Sequence, residues 1–112
     1  YNVSNTNISF ILSDIQKYKG YILGTCAYNG VMHPAMHHLC NEIQITAQKN
    51  KVVGLFGTSS WNGAGVRDLK KFAEGNKIAL VEPAVETFGD PTPEKVESQI
   101  DAFVKAYSAA LK

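Results

Sequence analysis

The sequence predicts an α/β domain built on a parallel sheet with helices on both faces. Three observations predict it. Helix-like and strand-like segments alternate along the chain. Two apolar runs, Tyr21-Ile22-Leu23-Gly24-Thr25 and Val52-Val53-Gly54-Leu55-Phe56-Gly57, lack polar alternation, as strands buried on both faces do. Each run leads into a short loop and then a helix, which is how crossovers of a parallel sheet read.

The chain has 112 residues, which suits one compact domain. It is 45% hydrophobic and 19% charged, with a formal net charge of +1. That composition supports a sizeable core and gives no sign of a nucleic-acid or membrane surface. Cys26 and Cys40 sit in unlike settings and suggest no disulfide framework. No apolar run is long enough to span a bilayer. The expected setting is cytoplasmic, with neither nucleic acid nor membrane as partner.

Each element has its own signal. Tyr1 to Ser4 alternates like the end of a strand. Asn5, Thr6 and Asn7 offer caps for a helix at about 8 to 18, with Ile8, Ile11, Leu12 and Ile15 at helical spacing. Lys19-Gly20 ends it. The strand Tyr21 to Thr25 follows, then a loop from Cys26 to Gly30, where Asn29-Gly30 is a strong turn pair. Pro34 suits the first position of a second helix, because its missing N–H costs little there. Met36, Leu39, Cys40, Ile43 and Ala47 mark its face, and Asn50 stops it.

After the central strand and its polar loop, Val66, Leu69, Phe72 and Ala73 mark a third helix ending at Gly75. Ile78 to Val81 reads as the next strand, interrupted by Glu82-Pro83, with Ala84 to Glu86 available to continue it. Proline cannot donate to a ladder, so this strand is expected at a sheet edge. Pro93 can open the last helix, whose stripe is Val96, Ile100, Phe103, Val104, Tyr107 and Leu111.

In open α/β sheets, ligands bind beyond the carboxyl ends of the strands. Two loops leave such ends here, Thr25 to Gly30 and Thr58 to Gly63. Both carry small residues, hydroxyls or amides, and one aromatic each, Tyr28 and the only tryptophan, Trp61. Together they suit a flat ring gripped between loops. Packing of Trp61 against the strand end, and plain turn chemistry at Tyr28, are the alternative readings.

At these loops the sequence resembles a known family. Lys19-Gly20-Tyr21-Ile22-Leu23-Gly24-Thr25-Cys26-Ala27-Tyr28-Asn29-Gly30, followed by Pro34, resembles the second flavin loop of flavodoxin-like domains. Val53 to Gly63 resembles the third, and is most similar to the C-terminal flavodoxin domain of flavodiiron proteins (A-type flavoproteins). Val81-Glu82-Pro83 resembles that family's last strand.

The resemblance implies a three-layer sheet ordered 2-1-3-4-5 and bound FMN; flavodoxin is a type example of this order and site. It implies that Thr25, Tyr28, Asn29 and Gly30 contact the flavin ring edge. Ser59, Ser60, Asn62 and Gly63 would contact it from the other loop, with Trp61 flanking the ring. It implies electron transfer to a diiron domain of the same parent chain, which reduces oxygen or nitric oxide, and a redox donor protein. The residues here would bind FMN and supply no catalytic side chain. The alternative is a cofactor-free fragment with a structural or interaction role.

Two departures from the family pattern stand out. Ser59 and Ser60 occupy positions where the family has an aromatic and a glycine. The family's opening strand, phosphate loop and first helix have no counterpart, and Tyr1 to Ser4 reads as the tail of its second strand. Strand Tyr21 to Thr25 is therefore expected to have an unpaired edge and an exposed apolar face. The expected consequences are weak or absent FMN binding and self-association through that edge, or a place in a larger chain.

Other clusters read as structural. His33, His37, His38 and Cys40 lack a carboxylate at metal-binding spacing, and Cys40 falls on an apolar stripe, so no metal site is expected. Cys26 reads as a small loop filler. No aspartate ends the strands at Thr25 or Thr58, which argues against a receiver domain.

Overall fold

Asn7 opens the first helix. Its Oδ1 accepts from the Ser9 N–H at 2.9 Å and the Ser9 hydroxyl at 2.8 Å, which satisfies an otherwise orphaned backbone donor. The computed structural model describes residues 1–28, 31–46, 50–59, 64–88 and 93–112. The elements are α1 (Ile8–Lys17), β1 (Gly20–Tyr28), β2 (Val31–Met32), α2 (Pro34–Thr46), β3 (Val52–Ser59), α3 (Ala64–Gly75), β4 (Val85–Phe88) and α4 (Pro93–Leu111). The sheet order is β2-β1-β3-β4. β3 runs parallel to β1 on one side and to β4 on the other, and β2 is antiparallel on β1.

Strand alternation sorts the two faces. Leu23, Val53 and Leu55 point to one face. There α1, α2 and α3 contribute Ile11, Leu39, Ile43 and Leu69 to a shared core with Leu23 and Leu55. Gly54 points to the other face and lies under the Phe103 ring of α4, where any Cβ would collide. Val66 of α3 stands over Gly57, on the face opposite to Gly54. Helices therefore cover both faces, and the expected three-layer arrangement is present.

Three segments differ from the sequence reading. β1 does not stop at Thr25. It runs to Tyr28, and Ala27 and Tyr28 pair with Met32 and Val31. The connection left between them is Asn29-Gly30, two residues of the type that close a tight hairpin. Residues 29–30 themselves lie outside the described structure.

The strand expected at Ile78 to Val81 is reduced to one bridge between Leu80 and Val53, with the Val81 N–H donating to the Val53 carbonyl at 2.8 Å. The true ladder is Val85–Phe88. Pro83 has no N–H to give, so pairing lapses there and resumes beyond it. β4 does lie at the edge of the described sheet.

Tyr1 to Ser4 is a turn and not a strand. Asn2 Oδ1 accepts from the Ser4 N–H at 3.1 Å, and the Asn2 carbonyl accepts from Asn5 N–H at 3.3 Å. Local asparagine bonding competes with extended pairing here. The Tyr1 hydroxyl donates to Asp14 on α1.

Candidate functional site

The carboxyl ends of β1, β3 and β4 lie side by side. Thr58 is in register with Cys26 on one side and Thr87 on the other. These three share a face, so two hydroxyls and a thiol form a row across the strands. A cavity of about 410 Å³ opens above them, walled below by Gly24 and Phe56. A second, of about 360 Å³, lies on the β1 side and is lined by Gly24, Thr25, Cys26, His33 and Ala35. Thr25 and Cys26 border both.

Thr25 is a clasp as well as a wall. Its hydroxyl donates to the Cys26 carbonyl at 3.0 Å and accepts from the His33 N–H at 3.1 Å. The end of β1 is thereby fixed to the start of α2. His33 Nδ1 in turn accepts from the Ala35 N–H at 3.2 Å, in the manner of a helix cap.

The start of α3 presses against the same place. A Cβ on Gly65 would meet Thr25 Cγ2 at 3.0 Å and the Cys26 carbonyl oxygen at 3.2 Å. A glycine lets the helix come so close without displacing its neighbours, which a Cβ would push back by a few tenths of an ångström. α3, the next described element after β3, therefore begins directly on the end of β1.

Asp68 completes the join. Its Oδ2 accepts from the Met32 N–H at 3.1 Å and lies 3.3 Å from His37 Nε2. Met32 belongs to β2, just after the hairpin, and Asp68 to α3, just after the second loop. Sequence reasoning missed this carboxylate. Its only signal was an acidic residue between the apolar positions Val66 and Leu69 of the helix.

Of the nine expected ring contacts, the structure brings Thr25 to the site with its hydroxyl engaged as described. It also brings the backbone ends of β1 at Tyr28 and β3 at Ser59 there, Ser59 being in register with Phe88. The side chains of Tyr28 and Ser59, and all of Asn29, Gly30, Ser60, Trp61, Asn62 and Gly63, lie outside the described residues. Cys26 and Thr58 were not among the expected contacts, yet both line a cavity.

The histidines do not converge on a metal. Among the described residues no three His, Cys, Asp or Glu side chains form a ligand set. His37 turns to Asp68, His33 serves α2, and Cys40 is buried with its thiol 3.9 Å from Met32 Sδ. Burial, with a smaller effect from Asp68, pushes the Cys40 thiol up to about 12. No described helix is long and apolar enough to cross a membrane.

Known proteins match this arrangement. No family model matches the chain. A curated relative, the anaerobic nitric oxide reductase flavorubredoxin of Pectobacterium carotovorum, is 33% identical over 66 residues, 59% of this chain and 13% of that protein. Rubredoxin oxygen:oxidoreductase of Desulfovibrio gigas superposes with a TM-score of 0.86 at 21% identity, over 96% of this chain and 27% of that one. An archaeal flavodoxin gives 0.78 at 11% identity, over 96% of this chain and 73% of that one. A variant flavodoxin of Fusobacterium nucleatum, solved with flavin mononucleotide, gives 0.69 at 19% identity, over 95% and 78%.

The fold is that of a flavodoxin-like α/β domain. More narrowly, its sequence is similar to the flavorubredoxin over 59% of its length, and its fold to that of the Desulfovibrio protein. The chain spans about a quarter of the length of the Desulfovibrio protein that it matches (27%).

Proposed function

We propose that this domain binds FMN and carries electrons for a flavodiiron-type oxygen or nitric oxide reductase. One observation supports this most: Gly65 seats the start of α3 on Thr25 and Cys26, beside the cavities that Thr25, Cys26 and Thr58 line. Their residues fit a flavin. The cleft offers hydroxyls, small residues and two cavities of about 410 and 360 Å³ that share Thr25 and Cys26 as walls, and no charged side chain is needed to read a neutral ring edge.

In this reading Thr25, Tyr28, Asn29 and Gly30 hold one side of the ring. Ser59, Ser60, Trp61, Asn62 and Gly63 hold the other. The bound flavin would supply the one- and two-electron redox chemistry, and this chain's residues would bind it, orient it and limit its solvent access. Thr25 keeps the β1 end fixed while doing so. The electron acceptor would be a diiron domain of the parent chain; two solved proteins of the same fold, from Giardia intestinalis and Synechocystis, are named as flavodiiron proteins. A redox protein would be the donor, in the cytoplasm.

FMN binding to residues 1–112 alone is expected to be weak, because the resemblance accounts for ring contacts but for no phosphate loop. Titrating FMN while following backbone amide NMR shifts tests the reading. Changes should cluster at Thr25, Cys26, His33, Thr58 and Gly65. Changes elsewhere, or none at saturating flavin, would favour the alternative of a cofactor-free interaction module.

A further inference from the structure

β4 pairs with β3 on one side, and among the described residues no strand lies on its other side. An open edge presents unpaired N–H and C=O groups to any strand that meets it. The segment Val85-Glu86-Thr87-Phe88 suits such pairing, with β-branched and aromatic side chains around one charge. It holds neither proline nor lysine, the residues that blunt many strand edges.

One donor of that edge is already taken. The Glu86 N–H donates to Gln99 Oε1 of α4 at 2.9 Å, and so turns away from β3. N–H groups alternate sides along a strand, so Val85 and Thr87 turn theirs toward β3. Phe88 is the last residue of β4. Glu86 therefore carries the outward N–H in the body of the strand.

The packing of α4 holds that bond in place. Gln99 and Phe103 are four residues apart and share a face of the helix. Phe103 is buried, with its ring over Gly54 of β3. That contact fixes α4 across the sheet one turn away from Gln99. A simple fastening of α4 to the sheet is thus supplied by Phe103. The Gln99 bond falls instead on the group that an added strand would need.

We infer that Gln99 guards the β4 edge: by holding the Glu86 N–H, it keeps β4 from pairing with the β4 of a second copy of this chain. Such a pair would be antiparallel about a two-fold axis, each copy offering the same short edge. Both copies would first have to release the Glu86 N–H from Gln99. One bond of this kind shifts an equilibrium by up to roughly tenfold, so two lower the pairing constant by up to about a hundredfold.

The inference does not depend on flavin, and its test uses none. Gln99→Met keeps the length of the side chain and removes the acceptor. Gln99→Ala removes both. Gln99 is only part-buried, so both variants should fold. In the parent chain the Glu86 amide should exchange slowly, and NMR shifts over Val85–Phe88 should not depend on protein concentration. In each variant that amide should exchange roughly tenfold faster. Shifts over the same strand should then move with concentration as a dimer forms, which sedimentation would register. Adding Glu86→Pro removes the outward N–H at an edge position, where proline is tolerated, and should abolish the dimer without restoring the Gln99 bond. Association through any other surface would respond to neither change. The inference is overturned if parent and Gln99 variants associate equally, if the variants stay monomeric at millimolar concentration, or if their dimer survives Glu86→Pro.

Discussion

The Asp68 carboxylate accepts a hydrogen bond from the Met32 backbone N–H at 3.1 Å. That single contact ties α3, which follows one ligand-loop candidate, to β2, which follows the other. A helix side chain thus fastens the short strand that leads into α2.

Replacing Asp68 should therefore loosen the pair. Asp68→Ala leaves the Met32 N–H without its partner and should cost roughly 1–3 kcal/mol in chemical denaturation. Asp68→Asn keeps an acceptor and should recover most of that loss. His37→Ala should cost less than about 1 kcal/mol, since the His37 side chain is half exposed and such pairs contribute little. Equal losses for Asn and Ala would show that charge, and not the backbone bond, holds the join.

Gly54 and Phe103 should be coupled. A methyl at Gly54 collides with the Phe103 ring, so Gly54→Ala should destabilise by about 1–3 kcal/mol. In a Phe103→Leu background the same methyl should cost clearly less. Strict additivity of the two changes in a double-mutant cycle would mean that α4 does not sit on Gly54.

Stability should fall in alkaline solution. Burial raises the Cys40 thiol from 9.0 to about 12. It is also the main cause of the rise of the Tyr21 phenol from 10.0 to about 12, ahead of smaller effects from Cys40 and Tyr107. Both groups stay protonated in the fold at pH values where the unfolded chain releases its protons. Their contribution is whole below pH 9.0 and is lost as pH climbs toward about 12. Unfolding free energies measured across that range should decline, and Cys40→Ala should flatten the decline. A level profile for the parent chain would contradict the burial of both groups.

Thr58 offers a probe of the cleft that spares the core. Thr58→Ile fills the cavity above the strand ends and, at an exposed position, should change stability by no more than about 0.5 kcal/mol. It should diminish the FMN-induced shifts at Thr25 and Cys26. Undiminished shifts would move the flavin away from that cavity.

Much of this was legible in the residues. The unalternating runs at Tyr21 and Val52 marked β1 and β3, because an apolar run leaves a strong local mark. Strand ends were less legible. β1 continues past Thr25 because β2 exists to pair with it, and a two-residue strand such as Val31–Met32 has no periodicity to read. β4 was displaced for the same kind of reason: Ile78 to Val81 looks more strand-like, but Pro83 hands the ladder to Val85–Phe88. Asp68 was illegible because its partner is a backbone N–H, which every residue but proline carries.

The excursion between Leu80 and Val85 sets the phase of the last strand. Leu80 is opposite Val53, and Val85 is opposite Phe56, so the outer chain spends two more residues than the inner one over that stretch. Those two residues act as a spacer. They decide that Thr87, and not its neighbour, arrives level with Thr58 at the rim of the cleft. Evolution could lengthen or shorten this spacer to swap the chemistry that β4 presents there, while the buried layer on the opposite face stayed as it is.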